Sequence, residues 1–237
     1  MAFRHISPRT LLLVLMLAVG LLVYEWARRY PGQAPWTPLD LAEPAGRFTV
    51  MKLARLHDDP VACRVLLDAA AERYSRVPAL DGGRNCGYED AVRLINDRRF
   101  GYAPAATLSC PMAAGLFLWE KQVVEPAAQR HFGRSVVRIE TYGTYACRRI
   151  GNGREGRFSE HATANAIDVA TFVLDDGRRI GIASDWNGGG DDAAFLREVR
   201  DGACRSFGTV LSPDYNRAHR DHLHLDQAHV RFMAFCR

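Results

Sequence analysis

From Ala166 the chain runs AIDVATFVL, a stretch of β-branched and aromatic residues closed by Asp175-Asp176-Gly177 and followed by RRIGI. That is the pattern of a buried strand, a tight hairpin and its partner. SVVRIETYGTYACR, Ser135 to Arg148, alternates and is rich in strand formers, which predicts a central strand ending near Tyr145. Asp221 to Asp226, DHLHLD, alternates strictly, so period two puts His222, His224 and Asp226 on one face and Leu223 and Leu225 on the other. Helices are predicted where the period lengthens. Asp59-Pro60 opens VACRVLLDAAAERY as cap and first turn. Pro111 to about Val124, with MAAGLFLWEKQVV, is apolar enough to be the core helix, and the aspartates ending the loop SDWNGGGDD cap AAFLREVRDGA. These elements predict an α+β fold, an antiparallel sheet flanked by helices.

The N-terminal pattern is different. An unbroken apolar run from Leu11 to Tyr24 follows Arg4 and Arg9, and Glu25, Arg28 and Arg29 come after it. As a helix this run reaches about 21 Å, short of a hydrocarbon core of about 30 Å, which favours a signal-peptide core over a span. Against cleavage, no Ala-x-Ala site follows, and Trp26 is suited to the membrane interface, with Thr10 extending the other end. The reading is a retained signal anchor, with a cleaved signal peptide as the alternative. Residues 31–45, PGQAPWTPLDLAEPA, carry four prolines and no apolar period, as a linker does. The expected division is therefore a leader at 1–30, a proline-rich linker at 31–47 and one domain at 48–237.

Composition adds two constraints. At 237 residues and 48% hydrophobic content the chain can build one good core. Its net charge is +4, with lysine only at Lys52 and Lys121 and the arginines scattered, so the basic stripe of a nucleic-acid binder is missing. The six cysteines, Cys63, Cys86, Cys110, Cys147, Cys204 and Cys236, form no Cys-x-x-Cys pair. With an apolar leader they read as three disulfides in an oxidising compartment. Cys204 with Cys236 is the first pairing expected, because a helix end and the C-terminal strand both return to the same sheet.

The candidate chemistry lies in SEHATANAIDVA, where His161 precedes Asp168 by seven residues, nearly all of the intervening ones small. In a helix the pair would share a face about 10 Å apart, and in a strand they would point to opposite faces. To meet on one ion the chain must turn at Ala162 to Asn165, so His161 is expected on a loop entering the strand that carries Asp168. With His222 and His224 the set holds one donor more than the three that a catalytic zinc takes beside its exchangeable water. If His224 ligates with His161 and Asp168, His222 is left on the same face to move a proton or stabilise an oxyanion. A closed four-ligand structural zinc is the competing use. Ser159 has no placed base and no Gly-x-Ser-x-Gly frame, which argues against a serine hydrolase.

Ser159-x-His161-x-x-Ala164-x-Ala166-x-Asp168 resembles the Ser-x-His-x-x-Gly-x-Ala-x-Asp signature of the D-alanyl-D-alanine carboxypeptidases. His222-x-His224 resembles the second motif of the lysostaphin, D-Ala-D-Ala and hedgehog-like zinc fold. A closer resemblance, from about Cys63 to Arg237, is to the bacterial extensin-like C-terminal domain family, through PAATLSCPMA, TYACR, SEHATANAIDVATF, SDW, FLREVRDGAC and LSPDYNRAHRDHLHLD. It implies zinc ligation by His161, Asp168 and His224, catalysis by His222, and substrate binding by Arg148, which falls where the carboxypeptidases carry a Tyr-Arg-Ser arginine. Ala164 departs from their glycine. His-x-His replaces the Glu-x-x-His of some of them, which points to an endopeptidase-like site. The resemblance thus implies a zinc peptidase acting on peptidoglycan cross-links or stems; with the leader and the cysteines, the expected location is the periplasmic face of the inner membrane, held by the N-terminal helix, or periplasmic or secreted if the leader is cleaved. The alternative is a non-catalytic cell-wall binding or scaffolding domain that keeps its metal for structure.

Overall fold

A helix apolar on every side can only be buried on every side. Cys110–Trp119 meets that condition, and all ten of its residues are buried. Ser109 caps its start through a bond from the Met112 N–H. The structure, a computed structural model, describes residues 7–70, 74–96, 100–153, 155–228 and 234–237. Arg4, assigned above to the leader's flank, lies outside them.

The described helices are α1 (Pro8–Arg29), α2 (Thr49–Arg55), α3 (Pro60–Ala69), α4 (Cys110–Trp119), α5 (Glu125–Phe132), α6 (Ile182–Asp185) and α7 (Gly190–Ala203). A π-turn, Glu120–Val124, joins α4 to α5, so the core helix continues past the Val124 expected as its end. The strands are β1 (Tyr74–Arg76), β2 (Leu80–Asp81), β3 (Gly87–Tyr88), β4 (Ala91–Leu94), β5 (Gly101–Ala103), β6 (Thr107–Ser109), β7 (Val136–Gly143), β8 (Ala166–Leu174), β9 (Arg179–Gly181), β10 (Thr209–Leu211), β11 (Leu223–Asp226) and β12 (Phe235–Cys236).

The fold is α+β. Its main sheet runs β12-β10-β11-β8-β7-β5, with β9 also paired to β8. That sheet is mixed rather than purely antiparallel as expected, because β5 pairs parallel with β7 and β10 parallel with β12. Parallel neighbours arise from long connections, which leave no hairpin signal in the sequence. The hairpin expected at Asp175 to Gly177 does join β8 to β9, with Gly177 at φ +87° closing the turn.

Two smaller sheets, β1-β4-β6 and β2-β3, were not anticipated. The helix expected over VACRVLLDAAAERY ends at Ala69, and Tyr74 already belongs to β1; residues 71–73 lie outside the described set. The buried faces of α4, α7 and the main sheet meet around Trp119, which packs on Phe172 and Phe207 and donates its indole N–H to the Val199 carbonyl at 2.8 Å.

Three disulfides close the fold: Cys63 with Cys110, Cys86 with Cys147, and Cys204 with Cys236. The last joins the end of α7 to β12, the pairing expected above. Removing it by Cys204→Ser with Cys236→Ser is expected to lower stability by about 2 to 5 kcal/mol, read from denaturant unfolding. An unchanged unfolding midpoint would show that the bond holds only a frayed end.

Candidate metal centre

The turn that the sequence requires between His161 and Asp168 is present. Glu160–Thr163 forms a single helical turn capped by the Ser159 hydroxyl, which accepts from the His161 N–H at 3.4 Å. The Ser159 hydroxyl, argued above not to be a hydrolase nucleophile, serves as a cap. Ala164 then reverses the chain at φ +55°, ψ +27°, the left-handed conformation that glycine takes without strain and alanine at about 1 to 2 kcal/mol. The Ala164 carbonyl is held by the Ser109 N–H at 2.8 Å, and the Asn165 side chain bridges Ser109 at 2.7 Å and Glu160 at 2.6 Å. These bonds fix the turn to the start of α4.

Antiparallel pairing of β11 with β8 puts His224 directly opposite Asp168. Facing residues of such a pair are close enough for their side chains to touch. His161 comes in over them from its turn. The result is a triangle in which both histidines are buried and Asp168 is partly exposed: His161 Nε2 to His224 Nδ1 is 3.2 Å, His161 Nε2 to Asp168 Oδ1 is 3.1 Å, and His224 Nδ1 to Asp168 Oδ1 is 2.9 Å. Among the described residues these three form the cluster that could hold a metal ion.

The outer partners of the two rings decide which nitrogens face inward. His161 Nδ1 lies 3.1 Å from the Thr144 carbonyl, which only accepts, so Nδ1–H donates there and the Nε2 lone pair points into the triangle. His224 Nε2 lies 3.0 Å from an Asp226 carboxylate oxygen, so Nε2–H donates there and Nδ1 points inward. Two lone pairs and a carboxylate therefore converge, an arrangement that repels itself unless a cation stands among them. Carboxylate and carbonyl acceptors behind ligating imidazoles are the usual support of a metal site. Nitrogen and oxygen ligands of a tetrahedral zinc stand about 3.4 Å apart when each bond is about 2.1 Å. The three donors fit such an ion after a small outward shift.

A proton shared by the cluster would relieve the same repulsion. Burial disfavours a charged His224 ring, yet its bonds to Asp168 and Asp226 and their charges raise it to about 9. Burial likewise opposes ionisation of Asp168, but the His161 and His224 rings against it hold its carboxyl far below the ordinary range. A raised imidazole adds stability that is complete below its unfolded value of 6.5 and is lost as pH rises through about 9. A lowered carboxyl adds stability that is present above its unfolded value of 3.8 and is lost as pH falls through its folded value. Chelator-treated protein is therefore expected to melt highest between about pH 4 and 6.5 and progressively lower toward pH 9, as far as this cluster decides. Melts of His224→Gln as reference would lack the alkaline slope, and a flat wild-type profile over that range would refute the proton-filled centre.

His222 stands beside the triangle, just before β11. Its Nε2 is 3.5 Å from Asp168 Oδ1 and its Nδ1 is 2.9 Å from Asp221 Oδ1. The Tyr142 ring, well exposed, meets it edge-on at 5.7 Å. Arg148 lies half-buried on the segment whose backbone bonds to that of Ser159 and His161, and its positive charge reaches His219. That segment is tied by Cys147 to Cys86.

Two residues of this neighbourhood were not singled out from sequence. Asp226 lies on the face that the alternation predicts, and its carboxylate orients His224. His219 falls outside the alternating stretch, in the turn Arg217–His219, with its ring 5.3 Å from that of His222 and 5.9 Å from that of His224. Burial, then the charges of His222, His224 and Arg148, push it down to about 4, so it is a neutral imidazole at neutral pH. The recurrence of histidine at 219, 222 and 224 was its only trace in the sequence.

A family model described as extensin-like protein C-terminus matches residues 61–237, which include every residue of this site. No curated protein and no solved structure matches the chain.

Proposed function

The chain belongs to the extensin-like C-terminal family, and from that premise we propose that it is a zinc-dependent peptidase acting on the peptide cross-links or stems of peptidoglycan, exported and tethered at the periplasmic face of the inner membrane. The observation that carries the reading is the convergence of the His161 Nε2 and His224 Nδ1 lone pairs on Asp168, with His222 beside them and outside the triangle. Three donors with a further histidine at hand is the plan of a catalytic centre, whereas a structural zinc uses all four positions. The signature resemblance of the His161 to Asp168 segment supports the substrate class, and the three disulfides and apolar α1 support export.

His161, Asp168 and His224 would hold the zinc. When bound it supplies Lewis acidity, polarising a carbonyl and acidifying water. The chain's own residues do the rest. Asp221 accepts from His222 Nδ1–H, which leaves Nε2, on the side of Asp168, able to take up a proton and deliver it to a departing amine. Arg148 offers a guanidinium for a substrate carboxylate or for charge developing on the scissile oxygen. The Thr144 carbonyl and Asp226 keep the ligand rings from turning, so the site does not reorganise as substrate binds.

The direct test is to incubate the purified protein with intact peptidoglycan, with and without a chelator, and to identify the released muropeptides. Peptide-bond cleavage that the chelator stops and zinc restores is the expected result. A metal-loaded protein that binds the wall and releases nothing would leave the scaffolding alternative.

A further inference from the structure

The segment between α1 and α2 has the composition of a tether, but it is folded into the domain. Ala34 and Leu41 are buried, and Leu41 belongs to the core. Thr37 Oγ1 donates toward the carbonyls of Pro31 at 2.6 Å and Ala34 at 2.9 Å, curling the chain into a knot at the foot of α1. The ammonium of Lys52, a residue only 5% exposed, clamps that knot, bonding Pro31 O at 2.6 Å and Thr37 Oγ1 at 2.8 Å. Gln122 holds the far end, donating to the Glu43 carbonyl and accepting from the Ala45 N–H. Gly32 and Gly46 let the two ends of the segment touch backbone to backbone, since a Cβ on Gly46 would fall 2.4 Å from the Gly32 carbonyl. The last turn of α1 joins this assembly, for Ala27 is buried while the rest of α1 is exposed.

Next to that foot the surface changes character. Trp36 is 68% exposed, Tyr30 56% and Trp26 44%. Arg28, Arg29, Arg47 and Arg55 are exposed around them, with Arg55 reaching the Pro35 carbonyl at 3.4 Å. The acidic groups of the same stretch are Glu25, Asp40 and Glu43, and Asp40 is turned to the Ala42 N–H. Amphipathic rings and guanidinium groups at the end of an apolar helix match the headgroup layer of an anionic bilayer.

We propose that α1 is retained and that residues 30–47, with Arg55, form a collar seated on the bilayer surface, Tyr30 and Trp36 entering the headgroup layer. The partner is the phospholipid bilayer itself. The domain is then carried at a fixed height and tilt rather than on a swinging tether, which restricts the wall peptides it meets to those nearest the membrane. The inference rests on reading α1 as an anchor and on the exported location proposed above.

The test uses the full chain carrying Trp26→Phe, in vesicles of phosphatidylcholine and phosphatidylglycerol brominated either near the headgroups or deep in the acyl chains. Trp119 and Trp186 are buried and give a constant background. Trp36 is expected to emit at a blue-shifted wavelength and to be quenched about twofold more by shallow than by deep bromine, an effect absent when Trp36→Phe is added. Water-like, unquenched Trp36 emission in protein whose α1 still resists alkaline extraction would overturn the collar. So would an intact mass from cells showing that α1 has been removed. Neither readout depends on turnover, so failure of the collar leaves the peptidase reading untouched, and an inactive enzyme leaves the collar untouched.

Discussion

His161→Ala is expected to strip the zinc from the protein and abolish muropeptide release while the domain stays folded. The substitution removes one of three donors and leaves His224 and Asp168 as a two-ligand remnant, too few for a tight site. The lost ring also frees the Thr144 carbonyl and leaves a cavity, which together cost about 1 to 3 kcal/mol. The three disulfides and the core around Trp119 are all retained in this variant and hold the fold. Metal analysis, a thermal melt and muropeptide release on the one variant check all three parts. Zinc retained at one per chain would show that His161 is no ligand and would remove the proposed centre.

His222→Ala is expected to separate catalysis from metal binding. Its Nε2 is 3.5 Å from Asp168 but it stands outside the triangle of donors, so its loss leaves zinc content nearly unchanged. As the group able to move a proton, its loss lowers turnover by about 10² to 10⁴. Loss of zinc and stability together would instead make His222 a fourth ligand of a closed site, and the binding or scaffolding alternative would take precedence. Asp221→Asn adds a graded control: it weakens the acceptor behind His222 Nδ1 and is expected to shift the pH profile of turnover without shifting metal content.

Much of this protein is determined locally and is legible in its sequence. Alternation along β11 puts His224 and Asp226 on one face because side-chain direction in a strand follows from neighbouring residues alone, whereas His222, expected in the same strand, lies just before it and reaches Asp168 from there. The turn between His161 and Asp168 follows from small residues and an impossible geometry without it. The hairpin at Asp175 to Gly177 and the all-apolar α4 are likewise local patterns. What only the tertiary structure decides depends on pairings between segments far apart in the chain. The register of β11 on β8 sets His224 against Asp168, and a slip of one residue would have turned it to the other face. The Thr144 carbonyl and Asp226 select the inward nitrogens, a choice that no motif encodes because it depends on which acceptor lies behind each ring. Parallel pairs in the main sheet, His219 beside the site, and a proline-rich segment clamped by Lys52 arise in the same way. Each is a contact whose energy is realised only after the core has brought its partners together, so the local sequence carries no period or signal for it.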